Sequence, residues 1–136
     1  MIDVSGVRDR ITTELAARLP DLEATLYPRG VDGVFNSPAV VLGQPSTEFD
    51  VAPCSVHRYT LPVAVAVARP GIDDQATQRV LDDTAQRVAS ALSDMIDDQS
   101  WPDDVAGVKL TRSDPGALTV HGQGYPALLL SLELLG

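Results

Sequence analysis

The chain has 136 residues, with 10 Lys and Arg against 19 Asp and Glu, so its formal net charge is −9. A chain this acidic is a poor partner for phosphate backbones or anionic membranes, because both attract clustered cationic side chains. Hydrophobic residues make up 44% and aromatic residues 4% of the sequence, which predicts an aliphatic core. The length predicts a single domain over residues 1–136.

The cysteine count and the apolar runs bear on the compartment. Cys54 is the only cysteine, which excludes an intrachain disulfide and disfavours a secreted, disulfide-stapled fold. Residues 1–6 lack the basic start and long apolar run of a signal peptide. The apolar run Ala127–Leu135 is too short for a membrane span and contains Glu133. We therefore expect a cytoplasmic protein with no membrane partner.

An amphipathic helix is predicted over about residues 4–19. Apolar residues recur there at three- and four-residue steps, the pattern of one buried helical face: Val4, Val7, Ile11, Leu15 and Leu19. Pro20 ends the helix because the residue before a proline is disfavoured in the helical region.

The next segment predicts short strands and a loop. Leu22–Tyr27 is a candidate short strand. Ala39–Leu42 is a compact, largely β-branched run between Pro38 and Gly43, which indicates a buried strand. The mostly polar stretch at about residues 44–54 contains two prolines and predicts a long extended loop.

The clearest strand pattern runs from Ser55 to Arg69. Bulky residues at every second position alternate with smaller ones: Tyr59, Leu61, Val63, Val65 and Val67. This alternation predicts helices on the bulky face and another layer close to the small face. Pro62 removes a ladder donor, so this part of the strand is predicted at an edge or a bend.

A second helix is predicted over about residues 73–96. It follows a break at Pro70-Gly71, and Asp73 is the candidate N-cap. The predicted helical face consists of Val80, Thr84, Val88, Ala91, Leu92 and Met95. Asp97 and Asp98 would lie at the negative end of the helix dipole, so fraying is expected there.

The last third of the chain predicts strands. Residues 108–112 alternate, Asp114–Gly116 is a predicted turn, Leu118–Val120 a short strand, and Tyr125–Leu135 a final apolar strand. The order of elements predicts an α+β fold, with a mixed or antiparallel sheet of about four to five strands and both helices packed on one face.

Catalytic and metal-binding chemistry finds little support. A thiolate beside a histidine is a nucleophilic arrangement, which makes Cys54 and His57 the most tempting pair. No Gly-rich elbow or orienting residue accompanies them, so a loop cysteine and a strand histidine are favoured. Cys54, His57 and His121 lack the paired spacings of a structural zinc site. We therefore expect no catalytic residue, no cofactor and no metal ion.

The acidic residues are unevenly distributed. Adjacent pairs without a central glycine do not form a calcium loop, and they indicate a solvated surface: Asp94, Asp97, Asp98, Asp103 and Asp104. Between Asp73 and Asp104, nine Asp and two Arg leave a charge of −7 (2 − 9). Two interpretations stay open, namely solubility alone, or a strip that faces a basic partner or the outside of an assembly.

The order of elements resembles that of tail terminator (tail completion) proteins of long-tailed, siphovirus-type bacteriophages, especially those that infect actinobacteria. The resemblance covers essentially the full length. It is one of order and texture without a catalytic motif, and it rests on Leu15–Pro20, Pro38–Pro45, His57–Arg69, Asp73–Asp82 and Tyr125–Leu134.

The resemblance implies a ring-forming structural subunit, usually a hexamer, and not an enzyme. Such a ring sits on the last ring of the major tail tube protein, stops tube polymerisation and offers a docking surface to the head-side connector or stopper protein. DNA passes through the ring without sequence-specific binding. The chain is then expected in the virion, at the head-proximal end of the tail, after assembly in the host cytoplasm.

The resemblance also implies where contacts lie. The helix over residues 73–96 is expected outward, the sheet faces that carry Thr60 and Lys109 toward the lumen or a neighbour, and the loop at about 44–54 as a contact arm. The residues expected at the interface with another subunit or the tube are Phe49, Val51, Arg58, Tyr59 and Arg112.

Three alternatives stay open. The chain could be another head–tail connector or stopper protein of the same virion. It could be a small enzyme built on Cys54 and His57. It could also be a host-encoded binding module that recruits a partner through the apolar strand Tyr125–Leu135.

Overall fold

The computed structural model describes residues 2–53, 56–67 and 74–136. Its elements are, in chain order, α1 (Val4–Arg18), β1 (Thr25–Tyr27), β2 (Ala39–Leu42), β3 (Ser46–Ala52), β4 (Val56–Ala66), α2 (Asp74–Asp97), β5 (Gly107–Val120) and β6 (Gln123–Leu135). The predicted α+β class is confirmed, with six strands where about four to five were expected. Cys54, the break at Pro70-Gly71 and the N-cap Asp73 lie outside the described residues.

One sheet holds all the strands, in the order β1-β2-β4-β6-β5, with β3 also paired to β4. Among the strands of the described residues, β1 and β2 run parallel, and the other pairs are antiparallel. β4 and β6 form the centre and pair without interruption from Arg58↔Leu135 to Ala66↔Ala127. This unbroken register sets which side chains of both strands point to the same face.

The main core lies between the helices and one face of the sheet. Alternate residues of β4 and β6 point into it, as the alternation in sequence predicts, and α1 contributes Val7, Ile11 and Leu15. The buried face of α2 is Leu81, Thr84, Ala85, Val88, Ala91, Leu92 and Met95. Val80 was expected in that face but lies on the exposed side, because Leu81 and Ala85 occupy the direction of the core.

A smaller apolar cluster covers part of the opposite, helix-free face. Ala39, Val41 and Ala64 form its floor, and side chains from the β1–β2 connection and the β5–β6 hairpin close over them. The rings of Phe35 and Tyr125 lie with centroids 4.8 Å apart across this contact. The small face of β4 is therefore covered at Ala64 by side chains of a connection and a hairpin, and not by a further layer of secondary structure within the described residues.

The segment predicted as a long loop is the main correction. Ser46–Ala52 forms β3, so the prediction of a loop at about 44–54 is wrong over these residues. β2 and β3 both pair antiparallel with β4. The pairing of β2 ends at Leu42↔Val63, and after Gly43–Pro45 the pairing of β3 begins at Ser46↔Thr60. Three residues therefore face two on β4, which is a bulge. Two prolines and several polar residues conceal this bent edge strand in the sequence.

The bulge explains the proline in a central strand. The carbonyl of Pro62 accepts a hydrogen bond from the Gly43 N–H at 2.9 Å, so the Pro62 nitrogen also faces the bulge, where the ladder is interrupted. At this position the ladder on one side of β4 is interrupted, as it would be at a sheet edge. A Cβ at Gly43 would lie 2.7 Å from Cγ of Pro62, so only glycine fits this close approach.

A second correction concerns the turn predicted at Asp114–Gly116. These residues lie within the continuous strand β5, paired with Leu129–Ala127 of β6. Pro115 is tolerated because β5 lies at the end of the sheet path, where one side of the strand has no strand to bond. The tight turn lies instead at His121-Gly122, both with positive φ.

The C-terminal end of α2 is capped, contrary to the expected fraying. Gln99 has φ 55°, and the N–H groups of Gln99 and Ser100 donate to the carbonyls of Ile96 and Met95, the hydrogen-bond pattern of a Schellman motif. Arg18 bonds Asp98 at 2.8 Å. This hydrogen bond, and a further one to Glu14, raise the pKa of Arg18 above its ordinary value. The charge that opposes the helix dipole is thereby compensated.

Replacing Gly43 is expected to strain the bulge. Gly43→Ala should lower the free energy of unfolding by about 1–3 kcal/mol, because the new methyl group overlaps the Pro62 ring. Gly124→Ala is the control, since nothing lies within 4 Å of its added Cβ. Urea unfolding should show much of the Gly43→Ala penalty removed in a Pro62→Ala background, and an equal penalty in both backgrounds would contradict the proposed clash.

Replacing Gln99 is expected to stabilise the helix end. A non-glycine residue in the left-handed region of φ and ψ is strained by about 1–2 kcal/mol, and glycine removes this strain. Glycine also loses more backbone entropy on folding, which offsets part of the stabilisation. Gln99→Gly should therefore raise the free energy of unfolding by about 0.5–1 kcal/mol. Gln99→Ala, which keeps the backbone cost, should give no gain in the same thermal or urea unfolding experiment.

Candidate assembly surface

The two sides of the sheet end in strands with an open edge. β5 ends the sheet path on one side, and β3 pairs only with β4 on the other, so within the described residues each has an outer edge that no strand covers. Open edges present unpaired N–H and C=O groups, which favour pairing with another chain. They are the first candidate surface for assembly.

The β3 edge carries an exposed aromatic residue between two acids. Phe49 is 62% exposed, and its ring lies edge-on to that of His57 at a centroid distance of 5.2 Å. The Asp50 N–H donates to Nδ1 of His57 at 3.1 Å, and Asp50 has φ 55° at the irregular part of the pairing. This local geometry holds the exposed Phe49 in place on the helix-facing side of the sheet, since His57 is buried there.

The β5 edge carries basic residues. Thr111 is an extra residue between the pairs Leu110↔Leu132 and Arg112↔Ser131, so a bulge brings Arg112 to the same helix-free face as Lys109. Val108 and Leu110 point to the helix side and are partly buried against the core. The bulge thereby divides β5 into a short regular segment, Gly107–Leu110, and a longer segment that contains Pro115.

The two edges lie at the same level of the sheet. Ser46 is the partner of Thr60, Thr60 of Glu133, and Glu133 of Lys109, so one straight row crosses from β3 to β5. A parallel row joins Glu48 to Gly107 through Arg58 and Leu135. The regular parts of both edges are therefore the two ends of the same rows.

The helix-free face between these edges is charged but balanced. Arg58 lies between two acids, 3.0 Å from Glu48 and 3.3 Å from Glu133. Lys109 is the cross-strand partner of Glu133, and Arg112 pairs with Asp114 at 2.9 Å. Three acids and three bases thus alternate across four strands, which leaves no net cationic patch to hold a phosphate backbone.

The predicted interface residues fall in three environments. Phe49 and Arg112 are exposed, and Val51 and Arg58 are half-buried at or beside the β3 edge. Tyr59 is 2% exposed and packs in the main core, so it cannot reach another chain in this fold. Alternation along β4 assigned Tyr59 to the bulky, buried face, and that pattern was the better guide. Glu48 and Glu133 were missed because their proximity to Arg58 depends on a register that no sequence feature specifies.

The histidines lie far apart. His57 pairs with Gly136 through both backbone hydrogen bonds, whereas Nε2 of His121 lies 2.6 Å from the Gly33 carbonyl at the other end of the hairpin. About a dozen residues of β6 separate the two levels, roughly 40 Å of extended strand. Within the described residues, no three His, Cys, Asp or Glu side chains converge on a metal site. Cys54 lies outside those residues.

The acidic strip is partly used for structure. Asp98 bonds Arg18, and Asp104 accepts a hydrogen bond from the Asp3 N–H at 2.8 Å. Seven acidic residues of the described part of the strip have exposed side chains along α2 and the connection to β5: Asp82, Asp83, Asp94, Asp97, Asp98, Asp103 and Asp104. The strip is therefore on the opposite side of the molecule from the balanced face.

The strand Tyr125–Leu135 has no free edge within the described residues. Its residues belong to β6, which has β4 on one side and β5 on the other. Leu130, Leu132 and Leu134 are buried in the core. A binding module that recruits a partner by pairing with an edge of this strand is therefore not compatible with the fold. None of the helices in the described part of the chain is long and apolar enough to cross a bilayer.

Comparison with known proteins finds similarity among solved structures. No protein-family model matches the chain, and no curated protein matches it. Among solved structures, it is similar to a chain of the virion of a native gene transfer agent (GTA) particle, with a TM-score of 0.48, 16% identity and 100% of both chains covered. A similarity of this extent does not identify a function.

Removing Arg58 is expected to weaken the charged row. Arg58→Gln loses contacts with two carboxylates and should lower the free energy of unfolding by about 0.5–1 kcal/mol, the range for a partly exposed network. Arg112→Gln, which loses one exposed pair, should cost roughly 0.3 kcal/mol or less. Urea unfolding in low and high salt should show the Arg58 effect shrinking as salt screens the charges.

Proposed function

We propose that the chain is a ring-forming subunit that caps the tail tube of a long-tailed bacteriophage. In this role it ends polymerisation of the major tail tube protein and gives the head-side connector a surface on which to dock. Its role is structural and needs no catalytic residue or cofactor. The proposal rests on the resemblance in the sequence and on one observation in the fold, the complementary edges of the sheet.

The charges on the β3 and β5 edges favour head-to-tail contacts between copies. Glu48 and Asp50 place acidic residues on the β3 edge, whereas Lys109 places a basic residue on the regular segment of the β5 edge and Arg112 places another just beyond the bulge. Glu48 and Lys109 end neighbouring rows on the same face, so the β3 edge of one copy brings opposite charge near the β5 edge of the next. Because the two edges differ, the contact is heterologous, and such contacts form closed rings when the rotation closes.

Strand directions are compatible with this contact. β3, β4, β6 and β5 alternate in direction, so β3 of a copy in the same orientation runs antiparallel to β5 of its neighbour. The shared level of the edges requires no axial shift between copies, which favours a flat ring over a filament. The resemblance suggests six copies.

The two faces of such a ring would differ in charge. The acidic strip on α2 would lie on the outside, where it keeps the ring soluble or meets a basic partner. The balanced face of the sheet would line the channel, and DNA would pass without a cationic patch that retains it.

Loss of the chain should lengthen tails. In the phage that encodes it, disabling the gene should give headless tubes longer than normal, because no ring stops polymerisation; electron microscopy measures their length. Tubes of normal length without heads would favour the alternative of a connector or stopper protein. Unaffected particles would overturn a virion role altogether.

Complementation tests the edges within the same system. Glu48→Lys and Lys109→Glu should each fail to restore normal tails, because each places like charges across the contact. The double variant, which exchanges the charges of both edges, should restore them at least in part. Thr13→Lys, on the exposed side of α1 away from both edges, is the control and should complement fully.

A further inference from the structure

Phe49 is an exposed aromatic side chain on a strand edge. Every other aromatic side chain of the chain is buried or half-buried. Phe49 points to the helix side of the sheet, where it contacts the ring of the buried His57 on one side only. A fixed, exposed aromatic of this kind is the usual anchor of a protein–protein contact.

A pocket lies on the helix side of the opposite edge. It has a volume of about 510 Å³ and lies between the end of α2, the connection that follows it and the start of β5. Its lining is mixed, with apolar side chains from Ile96, Trp101, Pro102, Val105 and Val108 and polar groups from Gln99 and Asp103. The pocket has room for a phenyl ring, and it opens beside the regular part of the β5 edge.

The exposed ring and the pocket lie on the same row of the sheet. The next row beyond the one that joins Glu48 to Gly107 runs from His57 through Gly136 to Ala106, which lines the pocket. His57 and Gly136 are joined by two backbone hydrogen bonds. Phe49 contacts the His57 end of this row. Three strand spacings, about 14 Å, separate the two edges, so Phe49 cannot reach the pocket of its own chain.

We propose that Phe49 of one copy docks into the Trp101 pocket of the next copy. The inference rests on the proposed function for its assumption that the occupant is a second copy. Charge on the other face supports that occupant, because the same approach brings Glu48 of one copy toward Lys109 of the next. The contact then involves both faces of the sheet, with the Phe49 ring against the apolar side chains of the pocket on the helix side and opposite charges on the helix-free side.

Solution association provides the first test. Trp101 is the only tryptophan, so its fluorescence reports on the pocket directly. As the wild-type concentration rises, sedimentation should show association and the emission should move to shorter wavelength. Phe49→Ala should weaken the association roughly tenfold or more and remove the spectral change. Val34→Ala, which removes another exposed apolar side chain away from both edges, should change neither.

Mixing two defective variants tests the direction of the contact. Ala106→Tyr fills the pocket but keeps Phe49, whereas Phe49→Ala keeps the pocket. Each alone should stay monomeric, and the mixture should give a one-to-one dimer and nothing larger, because one sound contact remains per pair. Association of Phe49→Ala equal to that of wild type would overturn the proposal.

A cross-link covers the case in which copies associate only on tail ends. Ser46 and Lys109 end the same row, so cysteines placed there in neighbouring copies would be directly opposite, within disulfide reach. Ser46→Cys with Lys109→Cys, in a Cys54→Ser background, should give a ladder of linked copies from isolated tails. If the protein is found on tail ends but forms no cross-links, the proposed contact is overturned while the proposed function stands. Its absence from tail ends would overturn the proposed function.

Discussion

The uninterrupted pairing of β4 with β6 is the constraint on which the other features depend. Nine consecutive partners leave no freedom in register, so alternate side chains of both strands must enter the core under α1 and α2. A slip of one residue would turn a row of leucines and valines to the helix-free face. The same pairing places β3 beyond one edge of the central pair and β5 beyond the other, and it thereby determines which chemistry each edge presents.

Two bulges change the outer strands without disturbing this centre. Before the bulge at Gly43–Pro45, even-numbered residues such as Leu42 face the helices. After it, odd-numbered residues such as Thr47 face them. At Thr111 the change brings Arg112 to the face of Lys109. Each bulge interrupts the pattern of an edge strand, and each decides which charged residues lie together. The surface chemistry is therefore a product of irregularity at the edges and regularity at the centre.

The sequence was sufficient where one periodicity held over many residues. The stripe Val7–Ile11–Leu15, the strand Ala39–Leu42 and the alternation along β4 all correspond to observed elements, because burial of one face imposes the pattern. It was insufficient for Ser46–Ala52, where exposure on an edge strand removes the need for apolar alternation. It also failed at Asp114–Gly116, whose turn-like residues are tolerated because β5 has a free side.

The candidate surface was only partly accessible to prediction. Phe49 was identified because an apolar residue among polar ones is visible in any sequence. The pocket beside Trp101 was not, because its walls come from α2, a connection and β5, and only the tertiary fold brings them together. Pairings such as Arg58 with Glu48 and Glu133 likewise depend on register across strands, which composition and spacing do not encode.

The bulge at Thr111 and the proline at 115 also limit how much of the β5 edge another strand can use. The regular segment Gly107–Leu110 is short, so a strand contact there would bury little surface and each pairwise association would be weak and reversible. In the proposed ring, such contacts would allow errors to be corrected, because a misplaced copy, held on one side, would dissociate before the circle closes. After closure every copy would be held on both sides, and the closed ring would be far more stable than any one junction.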